Sequence, residues 1–189
     1  MIEEKEEVKK KSKRKKDSNQ WIIVIFITTF ILALLIGSVA EATVQNLNLG
    51  FAIIILCIII AFGILLDMVG MSVASADEVT FHAQATRKQR GAAEAIRLVK
   101  YAEKVSSVCN DVVGDVCGII SGSILTLIAM QIASMFNLPG TIVALVLGAL
   151  VCSITVGGKA FGKKIATQHA EQVIGLVGKW LSYIAPVRK

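Results

Sequence analysis

The uncharged stretch VCGIISGSILTLIAMQIASMFNLPGTIVALVLGALVCSITVGG, residues 116–158, decides the fold predicted for this chain. It contains 43 residues without a charged side chain, and about 20 apolar residues suffice for one helical crossing of a bilayer. The segment NLPG, residues 137–140, lies in its middle and combines proline with glycine, a turn signal. The stretch therefore predicts a helical hairpin of two membrane spans, at about 110–136 and 141–158.

Two more apolar runs precede this hairpin. Residues 20–40 and 42–66 carry no charge, and each run has the length of one crossing, which predicts spans at about 21–40 and 50–74. Apolar residues make up 54% of the chain and aromatic residues only 6%, which is not the balance of a soluble domain. We therefore predict an all-α, polytopic helical membrane protein with about four transmembrane helices plus amphipathic surface helices.

Lysine and arginine predict the orientation of these spans. All 20 of them fall in residues 1–20, 87–104 and 159–189, and none falls in 41–50 or 136–140. Basic segments flank membranes on the cytoplasmic side, and four crossings place all three basic segments on one side. We therefore expect a multi-pass protein of the cell membrane with both termini in the cytoplasm.

The N-terminal region allows two interpretations. Residues 1–20 hold eight basic and five acidic side chains, a composition that predicts a disordered basic head, which either anchors the topology or attracts anionic lipid head groups. No folded reader of nucleic acid accompanies it. Residues 21–40 are either a retained first span or a secretory signal, because Ser38, Val39 and Ala40 resemble a cleavage site. Cleavage of residues 1–40 would leave three spans.

Two basic segments next to the spans have apolar residues at helical spacing. We predict amphipathic surface helices at about 76–105 and 160–187 on the cytoplasmic side. The apolar positions are Ala92, Ala95, Ile96, Val99, Ala102 and Val105 in the first, and Val173, Leu176, Val177, Trp180, Leu181 and Ile184 in the second.

Acidic residues near the predicted membrane boundary are the candidates for chemistry. Asp67 lies near the end of the second span and is either functional, as ionisable groups at such depth usually are, or in contact with water. Asp111 and Asp115 are four residues apart and share a helix face. They could hold a hard cation such as Mg²⁺, or form a solvated helix entrance. No motif supports catalysis, so we expect neither an enzyme nor a resident cofactor.

Glycines repeat every four residues at the start of the third span, at Gly114, Gly118 and Gly122. Small residues at this spacing allow membrane helices to approach closely. The repeat predicts a tight helix contact, either within the subunit or in a homodimer.

Three segments resemble the transmembrane domain of the CorB/CorC and cyclin M (CNNM) proteins, a family linked to magnesium transport. SADE, residues 75–78, is similar to the family's Ser-small-x-Glu segment, and GAAEAIRLVKYAEKVSS, residues 91–107, to its juxtamembrane helix. GKAFGKKIATQHAEQV, residues 158–173, resembles its Gly-Glu-x-x-Pro-Lys segment and the helix that follows. The resemblance covers about residues 50–187, and the nucleotide-binding CBS domains usual in the family have no counterpart in it.

The resemblance implies a dimeric domain that binds Mg²⁺ through serine, asparagine and glutamate oxygens. Ser75 matches the serine, and the pair at 114–115 matches the family's Gly-Asn pair. Lys159, however, stands where the family has its glutamate, and Gly162 where it has the proline. A protonated lysine has only donors and cannot ligate a metal ion.

Two functional hypotheses follow. The first is a cation transporter with Mg²⁺ as the transported ion, in which Asp67 assists an inner-facing site lined by Ser75, Asn110, Asp111 and Asp115. The second is a non-transporting membrane scaffold or regulatory subunit, in which Lys159 replaces the bound cation and forms a salt bridge with Asp111 or Asp115. Both imply the lipid bilayer and a homodimer as partners, and neither involves nucleic acid.

Overall fold

The computed structural model describes residues 21–40, 42 and 48–184; the predicted basic head at 1–20 lies outside the described residues. Within these ranges the chain is helical and contains no strand. The helices are α1 Trp21–Ala40, α2 Leu49–Ser75, α3 Glu78–Thr86, α4 Ala92–Lys100, α5 Ala102–Ser107, α6 Asp115–Phe136, α7 Gly140–Gln168 and α8 Ala170–Ile184. A π-helical segment, Val108–Gly114, joins α5 to α6.

Four helical stretches are long and apolar enough to cross a membrane: α1, α2, α7 and the continuous stretch Ala102–Phe136. The predicted all-α fold with about four spans is confirmed. A bilayer solvates such helices because every backbone polar group is satisfied within the helix. The architecture therefore supports a multi-pass membrane protein.

The core of the bundle is the contact between α2 and α6. Each helix buries apolar side chains at intervals of four residues, which line up as one ridge along a helix. Part of α1 packs against the same core through Leu32, Ala33 and Ala40. The buried residues are Ala52, Leu56 and Ile60 of α2 and Val116, Ile120, Ile124 and Ile128 of α6.

A tight turn connects α6 to α7 at residues 137–140, as the sequence predicts. Asn137 takes the left-handed conformation (φ 50°) that often ends a helix, and the Leu138 amide donates to the Ala133 carbonyl at 3.0 Å. Pro139 then precedes the first residue of α7. We call this end of the bundle, where α2 also begins, the hairpin end.

The opposite end is a packed cluster of shorter helices. Val73 of α2, Phe81 of α3, Ala95 of α4 and Ile174 of α8 are fully buried against one another. We call this end the basic end, because every lysine and arginine that the structure describes lies here, and we call these four residues the basic-end cluster. The basic segments that the structure describes therefore lie on the same side of the spans, as the distribution of lysine and arginine predicts.

The predicted surface helix at 76–105 is wrong in its continuity, since the segment forms α3, α4 and α5. The break between α3 and α4 ends at Gly91, whose φ of 85° is unfavourable for other residues. A Cβ at Gly91 would also lie 2.5 Å from the Lys179 amide nitrogen. Close packing of this turn on α8 therefore interrupts the helix, which hydrophobic periodicity alone does not reveal.

The helix break expected between the span at 141–158 and the surface helix at 160–187 lies farther along the chain. Helix α7 continues to Gln168, and α8 begins only at Ala170. Lys163 and Lys164 are good helix formers and do not end a helix. In α8 the protein-facing residues are Ala170, Ile174 and Gly178. The larger residues of the predicted apolar stripe, Leu176, Trp180 and Ile184, are exposed.

Candidate functional site

Asp67 and Lys159 lie at the same depth in the bundle. Both α2 and α7 begin at the hairpin end, and the two residues follow the first residues of their helices by 18 and 19 positions. At 1.5 Å per residue each lies roughly 28 Å from that end, which is close to the thickness of the hydrocarbon core of a bilayer, about 30 Å. In a bilayer with one boundary at the hairpin end, both charges would therefore lie near the opposite limit of the hydrocarbon region.

The two side chains form an ion pair between α2 and α7. Lys159 Nζ lies 3.5 Å from Asp67 Oδ1, and the side chains are 31% and 18% exposed. Gly114 lies beside the pair, since a Cβ there would be in ordinary contact with it, 3.6 Å from Nζ and 3.9 Å from Oδ1. Three helical segments thus enclose one internal cation and its counter-charge.

The predicted partners of Lys159, Asp111 and Asp115, are not the partners observed. Both aspartates are exposed, and Asp111 Oδ2 accepts a hydrogen bond from Ser107 Oγ at 3.0 Å. The residue that faces the ion pair from this side is Gly114. Asp115 follows Gly114 by one position and is therefore turned by about 100° around the helix axis, away from Lys159.

Asn110 has an unusual environment in the π-helical segment. Its Nδ2 donates to Ser106 Oγ at 3.3 Å, while its Oδ1 is buried without a hydrogen-bond partner among the described residues. The side chain lies against Gly70 of α2, where a Cβ would collide with it. Single turns of π-helix occur frequently at functional sites, and Asn110 brings an unpaired oxygen to such a turn.

Ser75 lies apart from Asn110, at the C-terminal end of α2. It is exposed and lines a cleft of about 210 Å³ with Asp77 and residues 167–172. The four predicted ligands are therefore not brought together around one point. In the described part of the chain no three His, Cys, Asp or Glu residues are grouped so that they could hold a metal ion.

A groove of about 280 Å³ leads from the ion pair toward the hairpin end. We call it the glycine groove, because Gly114, Gly118 and Gly122 of α6 form one wall. Side chains of α7, from Gly148 to Lys159, form the other wall, and α2 forms the floor.

The glycine repeat does not make the tight contact predicted within the subunit. A Cβ at Gly118 or Gly122 would meet no atom within 4 Å, so only Gly114 is enclosed. Helices α6 and α7 touch near the hairpin through Ala129, Ala133 and Val143. Farther from the turn the two helices separate, and the glycine groove lies between them. A contact of the repeat in a homodimer stays a prediction.

One signal in the sequence could have identified Asp67 as the partner of Lys159. Counting residues from the two loops that lack lysine and arginine places both at the same depth, because a helix advances by a fixed rise per residue. The expectation of Asp111 or Asp115 instead rests on the family pattern. That pattern gives no information on which helix face meets α7.

Comparisons of the chain with protein-family models, curated proteins and solved structures find no match. The resemblance to the CorB/CorC and cyclin M family therefore stays a prediction.

Proposed function

We propose that this chain is a non-transporting membrane scaffold or regulatory subunit with a CorB/CorC-like transmembrane domain. It lies in the cell membrane with both termini in the cytoplasm. In this proposal the Lys159 ammonium group permanently replaces a bound divalent cation. The supporting observation is the ion pair of Lys159 with Asp67, enclosed by α2, α7 and Gly114.

The electrostatic argument begins with the cost of an isolated carboxylate at this depth. Asp67 is mostly shielded from solvent, at 18% exposure, and a lone charge near the hydrocarbon region is unfavourable. An ammonium group 3.5 Å away compensates it, as a bound metal ion would. Lys159 is covalently attached to α7, so this compensation cannot be released by ion movement.

The same charge opposes transport. A divalent cation approaching Asp67 would meet Lys159 at short range, where repulsion between like charges is strongest. A transported ion needs a site that it can both enter and leave. The pair therefore favours one fixed arrangement of α2 and α7, which suits a structural or regulatory role.

Cation transport is the second candidate, and the unpaired Oδ1 of Asn110 favours it. An amide oxygen is a ligand that Mg²⁺ accepts. Asp111 lies one residue away on the same π-helical segment. In this alternative, Asn110 and Asp111 would bind Mg²⁺ as the transported substrate, and Asp115 would lie along its route.

Flux measurements separate the two candidates. The protein is reconstituted in liposomes loaded with a fluorescent Mg²⁺ indicator, and influx is followed for wild type and for Asp115→Asn. We expect both to match protein-free liposomes, since Lys159 closes the site. Protein-dependent influx in the wild type that Asp115→Asn removes would establish the transporter instead.

The replacement of a cation by Lys159 makes a second prediction. In Lys159→Glu, two carboxylates would face each other between α2 and α7, and they repel unless a cation lies between them. We expect millimolar Mg²⁺ to raise the thermal unfolding temperature of this variant in detergent. The wild type and the exposed control Lys163→Glu should not respond. Equal responses of all three proteins would contradict the replacement.

A further inference from the structure

The glycine groove has the length of one leaflet. It extends along α7 from Lys159 to Gly148, which are separated by 11 residues, or roughly 16 Å. Half of a hydrocarbon core of about 30 Å is about 15 Å. The groove therefore runs from the membrane boundary at the basic end to about the middle of the bilayer.

The wall of the groove offers almost no hydrogen bonds to a ligand. Most of its lining consists of glycine, aliphatic and cysteine residues. Its two hydroxyl groups donate within their own helices: Ser121 Oγ to the Cys117 carbonyl at 2.7 Å and Thr155 Oγ1 to the Val151 carbonyl at 2.8 Å. A hydrocarbon chain is the ligand that such a surface stabilises, because it brings no polar group that would stay unpaired.

The end of the groove is different, because Lys159 lies there. An ammonium group has three N–H donors, and Asp67, whose Oδ1 lies 3.5 Å from Lys159 Nζ, can accept from one of them. The Lys159 side chain is still 31% exposed, and lysine near a membrane boundary extends toward the head groups. Lys163 is exposed one turn further along α7. This end of the groove therefore favours an anionic group.

We propose that the glycine groove binds one acyl chain of an anionic phospholipid from the leaflet at the basic end. The phosphate group of this lipid lies on Lys159, and the chain runs along Gly118 and Gly122 toward Gly148. The lipid would fill the space that the glycines leave between α6 and α7. This inference does not depend on whether the protein transports cations.

Photochemical labelling in liposomes tests the proposal. The full chain is reconstituted with phosphatidylglycerol or phosphatidylcholine carrying the same diazirine-labelled acyl chain, and labelled residues are located by mass spectrometry. We expect labels to concentrate on groove residues such as Cys117 and Cys152, which line it. Phosphatidylglycerol should label about fivefold more than phosphatidylcholine, the ratio expected for one lysine near an anionic lipid.

Matched variants test separately where the acyl chain and the head group of the lipid bind. Gly118→Leu fills the groove and should remove its label, whereas Gly157→Leu, on α7 outside the groove, should not; a Cβ at either position meets no atom within 4 Å. The double variant Lys159→Met, Asp67→Leu should keep the acyl label and lose the preference for phosphatidylglycerol.

Three outcomes would overturn the proposal. The label could be distributed evenly over the outward faces of α6 and α7. It could persist undiminished in Gly118→Leu. Alternatively, disulfide cross-linking of the wild type between Cys117 of one copy and Cys152 of another would show that a second copy occupies the groove.

Discussion

Replacing Lys159 by methionine is expected to lower the free energy of unfolding by about 2–3 kcal/mol. Breaking a fully buried ion pair by removing one partner typically costs about 3–5 kcal/mol. The lower value is expected because a third of the Lys159 side chain is exposed, and solvent screens part of the interaction. The loss would come mainly from the Asp67 carboxylate, which then lies uncompensated near the hydrocarbon region.

The reverse change, Asp67→Leu, should cost less than Lys159→Met. A lysine has a long flexible chain and can move its ammonium group to the head-group region. An aspartate is too short to do so from the same depth. Removing both charges together, in Lys159→Met, Asp67→Leu, should restore most of the stability, because replacing a whole buried pair by apolar residues is often neutral or better.

Titration with SDS in mixed micelles measures these free energies and gives the coupling of the pair as a double-mutant cycle. Lys163→Met is the matched control, since Lys163 lies on the same helix and is exposed. Its effect should stay within about 0.5 kcal/mol, as for most surface substitutions. Additive effects of the two substitutions at the pair would show that Lys159 and Asp67 do not interact.

The sequence predicts the spans well because their signal is local. An uncharged run as long as residues 116–158 can be buried only in lipid or in a protein core too large for this chain. The segment NLPG at 137–140 favours a turn within it. Neither conclusion requires knowledge of which helices touch. Lysine and arginine can likewise be assigned to one side of the membrane without knowing which helices touch.

Contacts between distant elements are not predictable in this way. The pairing of Asp67 with Lys159 depends on the rotation of α2 and α7 about their axes. The exposed positions of Asp111 and Asp115 depend in turn on the π-helical segment Val108–Gly114. A π-helical turn changes the face that each later residue presents, and hydrophobic periodicity assumes a regular 3.6-residue repeat.

The glycine groove illustrates the same limit. The repeat Gly114, Gly118, Gly122 correctly indicates a helix surface without side chains. Spacing alone does not tell whether protein or lipid covers that surface. In the structure α7 covers only its first glycine closely, because α6 and α7 touch mainly near the hairpin.

Replacing Phe81 by alanine should have the largest effect on the basic end, about 3–5 kcal/mol, as is typical for a buried phenylalanine. Phe81 is fully buried with Val73, Ala95 and Ile174. It is the largest side chain in the basic-end cluster, so its removal leaves a cavity where α2, α3, α4 and α8 meet. The spans themselves do not depend on this cluster, because α2 and α6 have their own core.

Limited trypsin digestion of reconstituted protein detects this local loss of stability in Phe81→Ala. The bonds that report this opening are those after Arg97 and Lys100, which are exposed but held in the helical structure of α4. Cleavage there requires local opening, and 3 kcal/mol corresponds to an increase of about 100-fold in the open population. Phe161→Ala is the control, since Phe161 is 67% exposed and its loss should leave the cleavage rate unchanged. Equal cleavage rates for Phe81→Ala and wild type would mean that α3 does not hold α4 in place; the basic end would then owe its stability to the contact of α4 with α8 at Gly91 and Gly178.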